Sequence, residues 1–486
     1  MRAPATRSGR RAAAPTISAR LATRVTLEMR AGGAIAACFD GFSVGLGTFS
    51  ERAVHRAQEL RTGLPLAALA GAGSDVDREI ERLVRRLAGR GLLEYGLRRP
   101  HGDEDFLVIE PQVPNYWPRT AELADADVLV LSRFAYLRRR GNQMVLESPR
   151  SAALFKIGDA KIAAAIASLA APQRIKQFRR QDGFPGLQIL ALLVDCRILF
   201  KIETAGDSGL RASEGDNNLV LWDFQDLLFH TRSTQGRHAN PLGGVYPYAG
   251  IIAPLPAVRP RWPGKKIDLR GFPSAPSPVA ELLRRRHSTR SFDDRRPITL
   301  AELARFLDGT ARVLSRSKIP ADPAAGIPAV DYTARPYPSA GAGYELELYL
   351  AVNNCEGLPR GFYHYDAGGH ALAAIGAAAT ELEAMLQGAQ FAMGVHAAPQ
   401  VLITVAARFA RLSWKYSSLA YALVLRDTGV LLQTFYLMAT VMELGGCAIG
   451  IADIELFAKM TGIEFHVEGP VGQFAIGRGS DSGISD

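Results

Sequence analysis

The adjacent residues Lys415 and Tyr416 give the sharpest chemical signal in the sequence. A lysine amine can act as a general base where its surroundings partly exclude water, and a tyrosine hydroxyl can orient a ring or relay a proton. Taken alone, Lys415 is more simply explained as an exposed residue at the start of a helix, where most lysines lie. The pair therefore indicates a candidate site for proton abstraction, with a solvated helix start as the alternative.

A cationic cluster lies between Arg284 and Arg290, where four arginines accompany Ser288. Guanidinium groups match the geometry of phosphate oxygens, so the cluster is a plausible phosphate pocket. The alternative is a charged helix face that is simply solvated.

A loop rich in proline and small residues begins at Arg335. Pro336 and Pro338 favour an extended backbone, and the small residues at 339–343 would let a flat ligand lie close to the main chain. From residue 346 the alternation of leucine with other residues predicts a strand. The alternative is a turn that only leads into this strand.

Several elements must position these residues. The run Thr428–Met442 is uncharged and shorter than a membrane span, so it predicts a buried helix of a soluble protein, extending over about 419–444. The glycines that follow, at 445 and 446, form either a helix C-cap or a loop whose amides approach a ligand. Thr299 and Glu302 predict a capping box that starts a helix, and a short strand is expected over Phe474–Arg478.

Length and composition limit the possible classes of protein. The chain has 486 residues, 48% of them hydrophobic and 22% charged, with a net charge of +9, which predicts two or three soluble domains. The arginines of the first thirty residues predict a disordered start over 1–40. The four cysteines lie far apart and no signal peptide is recognisable, so we expect reduced thiols, a cytoplasmic location and no metal site.

The order helix, turn, helix, strand in the first half predicts winged-helix-like units over 41–120 and 121–250, followed by a proline-rich connector over 251–277. Such units bind DNA or an extended peptide. The basic residues Lys176, Arg179 and Arg180 are better explained as a solvated helix face, so we expect no nucleic-acid partner and no membrane. His230 is expected to be a structural hydrogen-bonding residue.

Three motifs, Arg286–Arg290, Arg335–Ala342 and Lys415–Tyr416, together resemble the SagB/ThcOx-type dehydrogenases in their order and spacing. This branch of the FMN-dependent nitroreductase superfamily oxidises thiazolines and oxazolines in ribosomally made peptides. The resemblance implies an α+β fold. Residues 278–486 would form a nitroreductase-like FMN domain, with a central, mostly antiparallel sheet flanked by helices, preceded by the winged-helix-like units.

The resemblance also implies site residues and partners. Lys415 and Tyr416 would be catalytic, and FMN would be held by Arg286, His287, Ser288, Arg290, Pro338, Ser339, Ala340, Gly341, Gln433, Ile449, Gly450 and Arg478. The implied partners are a precursor peptide whose leader is bound by the N-terminal units, a cyclodehydratase complex, and a second copy of the chain in a homodimer.

The sequence departs from this family close to the Lys–Tyr pair. Relatives usually have an arginine where this chain has Ser417–Leu419, and they often have Gly-His and Gln-Asn where it has Gly429–Val430 and Gln433–Thr434. Two other functions therefore stay open. One is an NAD(P)H-dependent reductase of nitro or quinone compounds that uses the same flavin pocket, and the other is a non-catalytic peptide-binding scaffold.

Overall fold

The computed structural model describes residues 16–39, 42–69, 73–98, 105–202, 216–234, 246, 248–261, 263–272, 275–324 and 328–480. The chain forms two compact units, residues 1–220 and 221–486. The second unit begins before the predicted proline-rich connector, and the finer domain boundaries stay predictions.

The strands of the first unit are β1 (Thr16–Leu21), β2 (Thr26–Met29), β3 (Ala34–Phe39), β4 (Phe42–Thr48), β5 (Leu64–Pro65), β6 (Leu93–Arg98), β7 (Asp105–Pro111), β8 (Val128–Leu131), β9 (Tyr136–Arg140), β10 (Gln143–Glu147), β11 (Ala153–Ile157), β12 (Gln173–Arg174) and β13 (Leu199–Ile202). Its helices are α1 (Glu51–Arg56), α2 (Asp75–Ala88), α3 (Ala160–Ser168), α4 (Ile175–Phe178), α5 (Leu187–Asp195) and α6 (Asn217–Val220).

Within the described residues, strands of the first unit form an antiparallel sheet in the order β5-β1-β6-β7-β11-β10-β9 and two smaller sheets, β2-β3-β4 and β12-β8-β13. Helix α2 begins at a capping box between Ser74 and Asp77 and buries one apolar face, which includes Ile80, Leu83, Val84 and Leu87. The winged-helix assignment of these elements stays a prediction.

The prediction of a disordered start is wrong for the described residues up to Phe39. Strand β1 lies between β5 and β6 in the large sheet, and Ala19 and Leu21 are buried. Strand pairing and side-chain burial here outweigh the charge of the neighbouring arginines. Residues 1–15 lie outside the described residues.

The strands of the second unit are β14 (Ile298–Thr299), β15 (Ser315–Ile319), β16 (Val330–Ala334), β17 (Leu346–Val352), β18 (Cys355–Glu356), β19 (Gly361–Asp366), β20 (Ala371–Ile375), β21 (Val401–Arg408), β22 (Gly445–Ile449) and β23 (Glu468–Gly477). Its helices are α7 (Phe224–Ser233), α8 (Pro278–Arg285), α9 (Leu300–Ala311), α10 (Ala379–Met393), α11 (Ala410–Ser413), α12 (Ala420–Val441) and α13 (Ile454–Thr461).

The central sheet of the second unit has the order β20-β19-β17-β21-β23-β22, and all these pairs are antiparallel. Phe435 of α12 packs against Phe306 of α9 and Phe474 of β23. Its ring centroid lies 5.3 Å from that of Phe306 and 5.4 Å from that of Phe474. Helices α10 and α13 share a second hydrophobic cluster, in which Tyr349 packs against Phe457. The predicted α+β fold, with a sheet flanked by helices, is confirmed.

The long helix predicted over 419–444 is α12, and it ends close to its predicted end. Glu443 takes a left-handed backbone conformation, with φ of 56°, just after the helix. Gly445 and Gly446 already belong to strand β22, so the helix C-cap interpretation of these glycines is wrong. Among the described helices, none is long and apolar enough to cross a membrane.

Candidate active site

Tyr436 connects the arginine segment, residues 284–290, to strand β22 at the edge of the central sheet. Its hydroxyl oxygen lies 2.8 Å from Ser288 Oγ and accepts a hydrogen bond of 2.9 Å from the Ala448 N–H on β22. The Arg286 guanidinium lies over the Tyr436 ring, 5.1 Å from the centroid. The sequence-based prediction missed Tyr436, because a tyrosine within a long apolar helix gives no signal that separates it from a core residue.

Two glycines of β22 allow close packing: Gly445 against Thr289 of the arginine segment, and Gly446 against the Phe474 ring. Thr289 N–H donates a 2.8 Å hydrogen bond to Gly446 O, and a Cβ at Gly445 would lie 2.6 Å from Thr289 Cγ2. A Cβ at Gly446 would lie 2.4 Å from the Phe474 ring. Both positions thus require glycine, for packing reasons that do not depend on a ligand.

The first cluster is defined here as Arg286, Ser288, Arg290 and Tyr436. Tyr436 also lines a cavity of about 360 Å³ together with Arg285, His287, Thr289 and Glu443, and the other three members of the cluster are not among its lining residues. Within the described residues, neither Arg286 nor Arg290 forms a salt bridge, so both guanidinium groups can bind an added anion. This donor set, two arginines with a serine hydroxyl, fits a phosphate ester.

Other residues predicted near FMN occupy varied positions. Arg478 pairs with Glu302 at 2.7 Å, so its guanidinium already has an acidic partner. Burial alone would raise the pKa of Glu302, but hydrogen bonds from Thr299 and Arg478 outweigh it and lower that pKa. Ile449 is buried, whereas His287 and Gly450 are exposed. Their predicted contacts with a flavin stay predictions.

The second cluster is defined here as Ser339, Gly341, Lys415 and Tyr416. Lys415 Nζ donates a 3.3 Å hydrogen bond to Gly341 O. Gly341 has φ of 54°, and a Cβ placed there would lie 2.2 Å from the Tyr416 hydroxyl oxygen and 2.7 Å from Lys415 Nζ. The proline–glycine loop and the Lys–Tyr pair, 74 residues apart in sequence, are therefore in contact.

The surroundings of Lys415 differ from those that the base hypothesis requires. Its Nζ lies 5.6 Å from the Tyr332 ring centroid and 5.3 Å from that of Tyr416, but the residue is exposed in a single chain. Tyr416 is half-buried. One chain supplies the neighbouring aromatic rings and leaves the amine open to water.

Asp427, on the first half of α12, anchors the loop of the second cluster. Its Oδ2 accepts hydrogen bonds from Ser339 Oγ at 2.9 Å and from the Ala340 N–H at 2.8 Å. In the sequence Asp427 directly precedes the uncharged run Thr428–Met442. An acid at this point of an otherwise buried helix was the available signal, and it was not used for the site.

The two clusters lie on different sides of α12. Asp427 and Tyr436 are nine residues apart, about two and a half helical turns, which places them on opposite flanks. Gln433, predicted to contact FMN, lies on the exposed face between them, with Arg426, Gly429, Val430 and Val441. One chain therefore does not bring the arginine segment and Lys415 to the same flank of this helix.

Two histidines have structural surroundings. The His230 ring is buried, and its Nδ1 lies 3.1 Å from the Tyr421 hydroxyl, which confirms the structural interpretation of this residue. His364 lies 3.5 Å from Glu347 in a separate cleft of about 850 Å³ in the second unit. The hydrogen bond that His364 donates to the Glu347 carboxylate raises the pKa of His364. In the same cleft Tyr349 donates a 2.6 Å hydrogen bond to Glu468.

Comparison with known proteins gives two family matches. Residues 129–239 match the family described as cyanobactin oxidase ThcOx, and residues 283–478 match the nitroreductase family. A protein from Methanocaldococcus jannaschii, named as a candidate nitroreductase, is 31% identical over 172 residues, which are 35% of this chain and 78% of that protein.

Among solved structures, the chain is similar to the Escherichia coli microcin synthetase McbBCD complex with truncated pro-MccB17 bound. The identity is 19%, over 57% of this chain and 100% of that one, with a TM-score of 0.40. It is also similar to a nitroreductase with bound FMN from Bacteroides fragilis, at 13% identity over 43% of this chain and 93% of that one, with a TM-score of 0.26.

The archaeal relative is similar over most of its own length, and the nitroreductase match spans the central sheet and both clusters. The cyanobactin oxidase match covers a stretch that precedes this domain. The chain belongs to the nitroreductase family, and its residues 129–239 are similar to the cyanobactin oxidase ThcOx.

Proposed function

We propose that this protein is an FMN-dependent dehydrogenase that oxidises thiazoline or oxazoline rings to thiazoles or oxazoles on a ribosomally made precursor peptide. The contact of Lys415 and Tyr416 with Gly341 is the observation that carries the proposal, because it places a base and a hydroxyl against a loop of small residues. The first cluster supports FMN as the cofactor, because its guanidinium and hydroxyl groups are hydrogen-bond donors suited to a phosphate.

Aromatisation of an azoline removes a proton from one ring carbon and a hydride from its neighbour. When bound, FMN supplies the acceptor for that hydride, and molecular oxygen is the proposed final oxidant. In this chain the Lys415 amine takes the proton, and the Tyr416 hydroxyl, next to the amine and to Gly341, orients the ring by a hydrogen bond. Arg286, Arg290 and Ser288 hold the phosphate.

A homodimer is part of the proposal. The first and second clusters border opposite flanks of α12, with the exposed face of the helix between them. A second copy packed on this exposed face would bring the first cluster of one chain towards the second cluster of the other. Such packing would also cover Val430 and Val441, which are 37% and 61% exposed. It would reduce the access of water to Lys415.

The first unit is proposed to bind the leader of the precursor peptide, and a cyclodehydratase would supply the azolines. In the described part of the large sheet, β9 is an end strand that pairs with β10 alone. An extended peptide can add to such an edge as a further strand. The match to a cyanobactin oxidase over this region supports the assignment.

The proposal is tested first by the visible absorption spectrum of the purified full-length protein and mass analysis of the released chromophore. FMN release is expected, followed by oxidation of azoline-containing peptides. Lys415→Ala should retain FMN and lose oxidation, whereas Lys459→Ala, at an exposed lysine on α13, should keep both. Oxidation by Lys415→Ala at the parent rate would refute the catalytic assignment.

The same measurements separate the alternatives. Rapid bleaching of bound FMN by NADPH without azoline oxidation would favour a nitro or quinone reductase. A colourless protein that cannot be reconstituted with FMN would favour a peptide-binding scaffold.

A further inference from the structure

Ser339 lies at the centre of a group of polar atoms behind the 339–341 loop, which Lys415 contacts through Gly341 O. Its Oγ accepts a hydrogen bond of 2.9 Å from the Tyr344 N–H. The same oxygen lies 2.9 Å from Asp427 Oδ2 and 3.2 Å from Glu345 Oε2. One hydroxyl group is therefore in contact with two carboxyl groups.

The number of protons decides how these contacts are made. A serine hydroxyl has one proton to donate and two lone pairs that accept. If it donates to Asp427, the closer carboxyl group, the contact with Glu345 needs a second proton. A protonated Glu345 supplies that proton and donates to Ser339 Oγ. Asp427 then accepts from Ser339 and from the Ala340 N–H.

Burial favours the same arrangement. Glu345 is fully buried at 0% exposure and Asp427 is 7% exposed. Two buried carboxylates in contact cannot both keep their charge without a cation. In the described part of the chain, no salt bridge is made by either. Burial, and then the neighbouring Asp427, raise the pKa of Glu345 to about 7.

We propose that Glu345 and Asp427 are positioning residues which share one proton through Ser339 and so hold the 339–341 loop against Lys415. Glu345 supplies the neutral acid, and Asp427 supplies the acceptor for a side chain and for a backbone amide of the loop. Through the Gly341 carbonyl this anchoring fixes where the Lys415 amine lies. The consequence for oxidation rests on the proposed function, whereas the shared proton does not.

The other ionisable groups nearby belong to three segments. Before the loop are Arg335, which donates a 3.1 Å hydrogen bond to Leu346 O, and the buried Tyr337. Around Glu345 are Tyr344 and Glu347. The segment around α11 contributes three groups, Lys415, Tyr416 and Arg411, of which Arg411 donates a hydrogen bond to Gly343 O. A pH effect assigned to Glu345 must be separated from these groups by a substitution at Glu345 itself.

Glu345→Gln provides that separation, because the glutamine amide keeps a donor and stays neutral at every pH. The folded-state pKa of Glu345, about 7, lies above the ordinary value of 4.5. The stabilising contribution of the neutral acid is thus fully present below about 4.5 and is lost as pH rises towards 7. Measured without FMN, the melting temperature of the parent should therefore fall relative to that of Glu345→Gln between pH 4.5 and about 7. Above pH 7 the difference between the two melting temperatures should stay constant.

Two further measurements complete the test. An infrared band of a protonated carboxyl group should be present in the parent at pH 6, disappear with a midpoint near 7, and be missing from Glu345→Gln. Glu383→Gln, at an exposed acid paired with Arg360, is the control and should change neither curve. A constant difference in melting temperature from pH 5 to pH 8, or no titrating band, would refute the shared proton.

The positioning role is tested by turnover. Asp427→Asn should lower kcat about tenfold or more, the equivalent of one charge-assisted hydrogen bond, with little change in KM. Glu345→Gln should retain most of the parent activity at pH 6 and lose less of it towards pH 8. Parent-like kcat in Asp427→Asn would refute positioning. If the parent itself does not oxidise azolines, the proposed function fails, and the infrared and melting curves still decide on the proton.

Discussion

Tyr436 and Ser288 meet through their hydroxyl groups, whose oxygens lie 2.8 Å apart. Because the Tyr436 oxygen accepts from the Ala448 N–H, its own proton can go to Ser288, which leaves the serine proton for a ligand. One hydroxyl on α12 thus fixes both the arginine segment and the end of β22. This relationship joins two segments about 160 residues apart in sequence next to the proposed phosphate-binding residues.

Tyr436→Phe removes both hydrogen bonds and keeps the ring that packs against Phe474. We expect the free energy of unfolding to fall by about 1–3 kcal/mol, because the Ala448 N–H loses its partner. Denaturant titration of the FMN-free protein measures this change. Tyr363→Phe, which removes a hydroxyl bonded to Pro359 O at an exposed site, should cost less. Equal effects of the two substitutions would contradict the role given to Tyr436.

Arg286→Ala should weaken FMN binding about tenfold or more, because a guanidinium that stacks on Tyr436 can bind a phosphate with two parallel hydrogen bonds. Arg286→Lys should recover only part of the loss, since lysine keeps the charge without the planar fork. Flavin fluorescence titration gives both affinities. Arg305→Ala, at an exposed arginine of α9, is the matched control. Unchanged affinity in Arg286→Ala would remove this residue from the proposed pocket.

The local elements of the second unit could be predicted well from sequence. The capping box at Thr299 and Glu302 is formed, with Thr299 accepting from the Glu302 N–H at 3.1 Å. The turn after β19 opens at Asp366, which accepts from the Gly368 and Gly369 amides. These features depend on residues a few positions apart, so a short stretch of sequence contains the whole interaction.

The long-range relationships could not be predicted in the same way. The contact of Ser339 with Asp427 joins residues 88 apart, and nothing in either stretch specifies the other. The charge-rich beginning of the chain was assigned to disorder because composition gives no information on whether β1 finds partners in β5 and β6. The separation of the two clusters on α12 follows from helical geometry once the contacts of Asp427 and Tyr436 are known.

The ion pair of His364 and Glu347 predicts a pH-dependent stability. The pKa of His364 is raised by Glu347 above the ordinary value of 6.5, so the pair stabilises the folded chain fully below about 6.5 and less as pH rises through the folded-state pKa. The stability of the parent relative to His364→Gln should therefore be larger at pH 6 than at pH 9. Denaturant titrations at both pH values measure it. A difference that grows with pH would reverse the predicted sign, and the exposed His396→Gln serves as control.

Gly341→Ala tests the contact between the loop and the Lys–Tyr pair. The added methyl group would lie 2.2 Å from the Tyr416 hydroxyl and 2.7 Å from Lys415 Nζ, so both side chains must move away from the loop. Azoline oxidation is expected to fall at least tenfold, because the amine and the hydroxyl group lose their positions against the loop. Gly357→Ala is the matched control. It has a φ of +82° and meets its nearest neighbour, Leu300 Cβ, at 3.5 Å, so it introduces similar backbone strain away from the pair. If Gly357→Ala lowered turnover as much as Gly341→Ala, backbone strain would explain the loss, and the displacement of Lys415 and Tyr416 would not.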